Sequence, residues 1–341
     1  MRKSGEGGPR TGGGVDDGVR SAVTHTTAAF LAAVLFVAGC TGAFPRALAG
    51  QPACRDVPVG AGTVHACATG SGPVTVVLAA GAGQTSRTWR PLVGDLTPHA
   101  RVVTFDRPGL GRSSPGEPPR TPTRIARELD VVLRALAGEG PLLLVGHSMG
   151  GVHMLRYATL FPDRVAGVVL LDTPPAAFEA ARLTLLTPEE RAERRRQLER
   201  GLEGMPEAVR REREGAEDDA EWAFPGFPRH VPLTVIVADG QDFGHLGSAE
   251  AHRALWVERS RRWLDLSDAA ELVVAEGSGH MVHHERASLV LERLRAMIRV
   301  ATASGARRDP DARARAGAGA TRARHRRASA PHGRSPARPS A

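Results

Sequence analysis

Residues 142–151 read LLLVGHSMGG, and the fold is most readily recognised from this stretch. An apolar run leads into Gly146-His147-Ser148-Met149-Gly150, and a segment with helical periodicity follows at residues 152–161. The run predicts a buried strand and the later segment a helix. A Gly-x-Ser-x-Gly motif between a strand and a helix predicts a tight turn that lifts the serine hydroxyl out of the sheet. Ser148 is therefore a candidate nucleophile.

Apolar runs rich in valine recur on both sides of this stretch. Most are separated by helical patterns, such as Thr123 to Ala137, whose apolar stripe ends before Gly138. This alternation predicts an α/β domain with a mostly parallel sheet flanked by helices. The predicted strands are residues 73–80, 101–105, 141–145, 165–171, 233–238 and 271–275.

Composition separates a body from a basic C-terminal tail. The formal net charge is +8, and residues 302–341, with ten Arg and two Asp, account for all of it. This tail lacks apolar periodicity, which predicts disorder. It has no aromatic residue to stack on a base, so no nucleic-acid partner is expected. We predict that residues 54–301 form the folded body; no run of eighteen apolar residues occurs, which excludes a multi-span membrane protein.

The first 49 residues predict a signal for export. Residues 28–39 form an apolar run of twelve, typical of the core of a signal peptide. The run ends in Val37-Ala38-Gly39-Cys40, which resembles the bacterial lipobox and implies a lipid on Cys40 that anchors the protein to the membrane. Ala47-Leu48-Ala49 is an alternative cleavage site that predicts ordinary secretion. Both alternatives predict an exported protein.

Cysteine usage is compatible with that location. Cys54 and Cys67 could form a disulfide in an oxidising compartment, or remain two buried thiols in a first hairpin. Three cysteines are too few for a four-thiolate zinc site, and we expect no metal.

Residues 174–231 interrupt the alternation with charged helical sequence. Thr187-Pro188-Glu189-Glu190 predicts a helix that begins with an N-cap, a proline and a capping-box glutamate. Trp222, Phe224 and Phe227 could line a pocket, so we interpret the segment as a helical lid over a cleft. A solvated helical excursion is the alternative.

With these motifs, residues 57–300 resemble the α/β-hydrolase superfamily, in its serine esterase, lipase and peptidase branch. Ala80-Gly81-Ala82-Gly83 resembles the oxyanion loop of the family, with Ala80 where histidine is usual. The resemblance implies that the backbone amides of Ala82 and Met149 hold the oxyanion. Residues 105–113 resemble the D-x-x-G-x-G-x-S loop, which shapes a turn and does not react.

The resemblance also implies a histidine base in the loop before the final helix. His280, at the end of Glu276-Gly277-Ser278-Gly279-His280, matches this G-x-G-H pattern, with His283 and His284 as weaker candidates.

The acid that orients the base must lie between the serine and the histidine in chain order. Asp242, after the predicted strand 233–238, is the first choice. Asp239 stands where the family has glycine, which leaves the register open, and Asp172 ends the preceding strand. Asp172 and Asp239 therefore remain alternatives.

The implied activity is hydrolysis of a carboxylic ester of small-molecule size through an acyl-enzyme, without a cofactor. A serine nucleophile argues against epoxide hydrolases and haloalkane dehalogenases, which use aspartate. The alternatives are an amide or peptide hydrolase of aminopeptidase type, a perhydrolase or carbon–carbon hydrolase, and a non-catalytic surface lipoprotein that binds a ligand on the same fold.

Overall fold

One sheet organises residues 51–216 and 222–308, the part of the chain that this computed structural model describes. The predicted signal, Cys40 and the tail beyond residue 308 lie outside these ranges. The sheet has eight strands: β1 (Ala53–Val59), β2 (Gly62–Thr69), β3 (Thr75–Ala79), β4 (Arg101–Phe105), β5 (Leu142–His147), β6 (Val165–Leu171), β7 (Leu233–Ala238) and β8 (Ala270–Ala275).

The strand order across the sheet is β1-β2-β4-β3-β5-β6-β7-β8. β1 and β2 form an antiparallel hairpin, β2 runs antiparallel to β4, and the remaining neighbours are parallel. The carboxyl ends of β3 to β8 therefore meet at one edge of the sheet, where ligands bind in open α/β sheets. The predicted α/β architecture is confirmed.

Nine α-helices connect and flank these strands within the described ranges, besides short 3-10 helices. They are α1 (Arg90–Leu96), α2 (Pro122–Leu136), α3 (Met149–Leu160), α4 (Phe178–Leu183), α5 (Pro188–Glu203), α6 (Glu207–Gly215), α7 (Ala249–Ser260), α8 (Val282–Glu285) and α9 (Ala287–Arg308). None of them combines the length and the apolar character needed to cross a bilayer.

The core lies on both faces of the sheet because β5 is buried on both sides. Leu142 and Leu144 pack into a cluster with α2 and α3, whereas Leu143 and Val145 pack into a second cluster with α1 and α9. A central strand buried in this way is a continuous apolar run, which explains the pattern in the sequence.

At the start of α2 the Thr121 hydroxyl accepts a hydrogen bond from the Arg124 amide at 3.1 Å. Gly138, where the sequence predicted the stop of this helix, has a φ of 67° just beyond its end. Thr187 and Glu190 form the predicted capping box at the start of α5.

Helices α4, α5 and α6 lie between β6 and β7, in the segment predicted as a lid. The C-terminal boundary of the body differs from the prediction. The predicted body ended at residue 301, whereas α9 continues to Arg308, so residues 302–308 belong to this helix.

The N-terminal hairpin carries a disulfide. Cys54 and Cys67 are direct cross-strand partners in β1 and β2, and their sulfur atoms are bonded. With a sequence separation of 13, the bridge is expected to stabilise the fold by about 3 kcal/mol, chiefly by constraining the unfolded chain.

Candidate active site

Ser148 occupies a strained turn between β5 and α3. Its φ of 52° and ψ of −129° lie outside the regions that L-residues favour, which costs about 1–3 kcal/mol. The turn is fastened to the neighbouring strand, because the Ser148 amide donates to the Leu171 carbonyl at 2.9 Å. The predicted nucleophile is therefore presented at the carboxyl edge of the sheet.

Two glycines allow this turn to pack closely. A Cβ atom at Gly146 would collide with the backbone of Gly150 and Gly151. A Cβ atom at Gly150 would collide with the carbonyl groups at the end of β3. Both positions therefore exclude any side chain.

The loop after β3 lies directly beside the nucleophile. A Cβ atom at Gly81 would be 3.1 Å from the Ser148 Cβ atom. Neither the Ala82 amide nor the Met149 amide donates a hydrogen bond to another group among the described residues. Met149 is the first residue of α3, where amides have no intrahelical acceptor. Both predicted oxyanion donors thus remain free to bind a substrate oxygen.

His280 lies in the loop between β8 and α8, and 41% of its side chain is exposed. Its carbonyl oxygen is 2.9 Å from His147 Nε2, and the two rings are 4.7 Å apart between centroids. Because His147 precedes Ser148, this contact holds the base loop against the nucleophile turn. The described residues show no Ser148–His280 hydrogen bond, a bond that often tightens only when substrate binds.

Asp172 is the carboxylate that contacts His280. Its Oδ2 atom is 2.6 Å from His280 Nδ1, and the residue is 1% exposed. Oδ1 also accepts hydrogen bonds from the Ala238 amide at 2.9 Å and from Trp256 Nε1 at 2.8 Å. Oδ2 accepts a further bond from the Gln241 side-chain amide. These donors compensate for burying a charged carboxylate.

Asp242, the first choice for this acid, does not contact His280. Asp242 is exposed and accepts a hydrogen bond from the Gly244 amide at 2.7 Å, and Asp239 accepts one from the Gly277 amide at 2.6 Å. The physical reason is that Gln241 is the side chain beyond β7 that reaches this position, where it donates to Asp172, so the carboxylate beside His280 comes from the end of the adjacent strand β6.

The other candidate bases lie in a packed cluster beside the site. His283 Nε2 is 2.9 Å from the Thr88 hydroxyl, and His284 Nε2 is 2.7 Å from the Thr88 carbonyl. Burial, together with the nearby His147, lowers the pKa of His283 to about 2. Burial and the nearby His280 lower the pKa of His147 to about 3. His147 and His283 are therefore neutral at neutral pH.

Asp106, in the loop that resembles D-x-x-G-x-G-x-S, hydrogen-bonds to backbone amides. Asp106 Oδ1 accepts a hydrogen bond from the Ser86 amide at 2.7 Å, and Oδ2 accepts one from the Arg112 amide at 3.0 Å. The side chain thereby ties its own loop to the segment after the oxyanion loop.

One group of potential metal ligands occurs in the described part of the chain. Ligand atoms of Cys54, His65 and Cys67 lie within 4.8 Å of one another. The two sulfur atoms are joined in the disulfide, so neither offers a thiolate.

Several residues that support the acid and the oxyanion loop were not predicted from the sequence. Gln241 and Trp256 donate to Asp172, and Arg107 donates both to the oxyanion loop and to Glu212. Arg107 and Gln241 lie in segments that were recognisable in the sequence, whereas Trp256 and Glu212 are far along the chain from their partners.

Comparisons with known proteins find similarity to α/β hydrolases. Residues 74–230 match a family model described as the alpha/beta hydrolase fold. YqjL of Bacillus subtilis is 29% identical over 234 residues, which cover 67% of this chain and 87% of that protein. The esterase Rv0045c of Mycobacterium tuberculosis is 31% identical over 197 residues. That match covers 58% of this chain and 57% of the esterase, just over half of each.

A solved structure has the same fold. A thermophilic esterase from Thermogutta terrifontis superposes with a TM-score of 0.54 and 21% identity. The superposition covers 74% of this chain and 99% of that protein.

Proposed function

We propose that this chain, a hydrolase whose residues 74–230 match the alpha/beta hydrolase family model, cleaves carboxylic esters through Ser148, His280 and Asp172. The observation that carries the proposal is the 2.6 Å contact between His280 Nδ1 and a buried Asp172 carboxylate, beside a serine on a strained turn. Similarity to an esterase supports an ester as the substrate.

Acylation uses His280 as the general base. Asp172 accepts a hydrogen bond from the protonated Nδ1, so Nε2 is the basic nitrogen and takes the Ser148 proton as Oγ attacks the ester carbonyl. The carbonyl oxygen becomes an oxyanion, which the Ala82 and Met149 amides stabilise. His280 then gives its proton to the leaving alcohol, and Ser148 remains acylated.

Deacylation follows the same route in reverse. His280 takes a proton from water as the water oxygen attacks the acyl carbonyl, and the same amides stabilise the second oxyanion. Collapse of this intermediate returns the proton to Ser148 Oγ and releases the carboxylic acid. Losing one oxyanion donor would lower kcat by about 10²–10³-fold.

A fluorophosphonate probe tests the nucleophile directly. We expect the full-length wild type to be labelled and Ser148→Ala not to be, with circular dichroism showing that both are folded. A folded wild type that stays unlabelled would contradict the proposal and favour a ligand-binding protein on the same fold.

Substrate class is tested with matched chromogenic compounds. We expect turnover of p-nitrophenyl esters, with the preferred acyl length reporting the depth of the cleft that we propose residues 174–231 to cover. Faster turnover of the corresponding p-nitroanilides would favour an amide or peptide hydrolase.

We also propose that the protein is exported and anchored through a lipid on Cys40. The Cys54–Cys67 disulfide supports export, because such bonds persist in oxidising compartments. Metabolic labelling with an alkyne fatty acid should mark the wild type and not Cys40→Ser. Unlabelled protein released into the medium would instead favour cleavage near Ala47-Leu48-Ala49.

A further inference from the structure

A buried ion pair lies next to the oxyanion loop. Arg107 follows β4 and Glu212 lies on α6, and their side chains are 1% and 3% exposed. Arg107 Nε donates to Glu212 Oε1 at 2.8 Å, and Nη2 donates to Oε2 at 2.9 Å. Burial alone would raise the pKa of Glu212, but the charge and hydrogen bonds of Arg107 hold it below its usual value. The pair is therefore ionised.

The guanidinium group of Arg107 also contacts the oxyanion loop. Arg107 Nη1 donates to the Ala80 carbonyl at 2.5 Å, and Nη2 donates to the Gly81 carbonyl at 2.9 Å. The Gly81 carbonyl and the Ala82 N–H belong to one planar trans peptide and point in opposite directions. An arginine that fixes the carbonyl therefore also fixes the direction of the proposed oxyanion donor.

Helix α6 packs onto the same loops. A Cβ atom at Gly83 would be 3.3 Å from a Val209 methyl group, and one at Gly109 would be 2.7 Å from the Ala208 Cβ atom. The oxyanion loop is thus held between the sheet edge and α6, with Arg107 as its polar contact to the helix.

We propose that Arg107 is a positioning residue that orients the Gly81–Ala82 peptide, and that Glu212 couples this orientation to the docking of α6. The inference deepens the proposed ester hydrolysis and rests on it. A pair that served stability alone could be replaced by apolar side chains of similar volume with little loss, which gives a way to separate the two roles.

The decisive variant is Arg107→Met combined with Glu212→Met. Either single change leaves a buried charge without a partner, whereas the double change leaves none. We expect the double variant to melt near the wild-type temperature and to lose about 10–100-fold in kcat with little change in KM, because the peptide carbonyl has lost its donor.

Inhibitor binding identifies the step that is affected. A trifluoromethyl ketone forms an oxyanion on Ser148, so its Ki should rise by the same factor as kcat falls. The matching secondary alcohol carries no carbonyl, and its Ki should be unchanged. Parallel weakening of both inhibitors would indicate general damage to the site and would overturn the inference.

Arg107→Lys is a second variant that keeps the charge beside Glu212. A lysine ammonium cannot donate from a rigid planar fork to two carbonyls and a carboxylate. We expect about a tenfold loss of kcat, on the same scale as a weakened oxyanion contact. Wild-type kcat in this variant would contradict the positioning role.

Arg194→Met is the matched control in the same helical insertion. Arg194 on α5 donates to Glu179 at 2.6 and 2.9 Å and is not hydrogen-bonded to the oxyanion loop within the described residues. We expect its kcat to stay near that of the wild type.

The outcomes separate the inference from the proposed function. An active wild type together with a folded, equally active double variant would overturn the inference alone. A wild type that neither hydrolyses esters nor reacts with the fluorophosphonate probe would overturn both.

Discussion

The proposed nucleophile and the carboxylate that contacts the proposed base are built in opposite ways. Ser148 depends on a contiguous stretch in which a strand, a glycine turn and a helix follow one another without interruption. Asp172 depends on groups from several separate segments, because Ala238, Gln241, Trp256 and His280 all contact its carboxylate. One half of the site is therefore determined locally and the other by tertiary packing.

This difference explains where activity is vulnerable. A buried carboxylate needs all of its donors, since an unsatisfied charged group in the interior is costly. The nucleophile turn needs instead the absence of side chains, because backbone segments meet there. Changes of charge should affect the acid region, and changes of volume should affect the turn.

The largest expected effect tests the acid region. Asp172→Asn should lower kcat by about 10⁴-fold, because an amide in place of the carboxylate favours the wrong tautomer of His280. Steady-state hydrolysis of a p-nitrophenyl ester measures this loss of kcat. Asp242→Asn is the matched control, since Asp242 is exposed and contacts only the Gly244 amide among described residues; a large loss there and none at Asp172 would reverse the assignment.

Local determinants made most of the fold and half of the site predictable. The strand runs, the α2 stripe and the Thr187 capping box are patterns of neighbouring residues, and each occurs in the structure. Ser148 and His280 were predictable because glycine spacing marks their loops.

The acid was not predictable from such local patterns. Asp172 follows β6, and Asp239 and Asp242 follow β7 at the same edge of the sheet, so only packing decides which carboxylate reaches His280. Asp172 adopts a φ of 47°, a left-handed conformation that no motif in the sequence predicts. The contact between Arg107 and Glu212 spans 105 positions, so no local pattern could reveal it.

The second prediction breaks the nucleophile turn by volume. Gly150→Ala should destabilise the protein by about 3 kcal/mol, because the added methyl group meets the carbonyls of Ala79 and Ala80. Urea unfolding of the two proteins gives the difference. Gly94→Ala, in α1 with open space around its Cβ position, should instead be neutral or stabilising by up to about 1 kcal/mol. Equal effects at both glycines would show that the turn is not closely packed.

A smaller effect is expected where the acid is supported from β7. Gln241→Met removes the amide donor to Asp172 Oδ2 and leaves the carboxylate with three partners. We expect kcat to fall about tenfold, in line with the loss of one hydrogen bond to a charged group. An unchanged kcat would indicate that Gln241 only fills space.

The last prediction concerns the pH dependence of stability at a buried histidine on the nucleophile side of the site. His153 on α3, the helix that follows the nucleophile turn, is 1% exposed, and burial followed by the charge of Arg107 lowers its pKa from 6.5 to about 3. Between about pH 6.5 and pH 3 this histidine is protonated in the unfolded chain but not in the folded protein. The free energy of unfolding therefore falls as the pH drops from about 6.5 to about 3. At about pH 5.5 the loss from this histidine is about 1.3 kcal/mol relative to pH 7. In urea unfolding at both pH values, His153→Leu should lose less stability than the wild type by that amount. An identical pH dependence in the two proteins would show that His153 binds a proton as readily in the folded protein as in the unfolded chain.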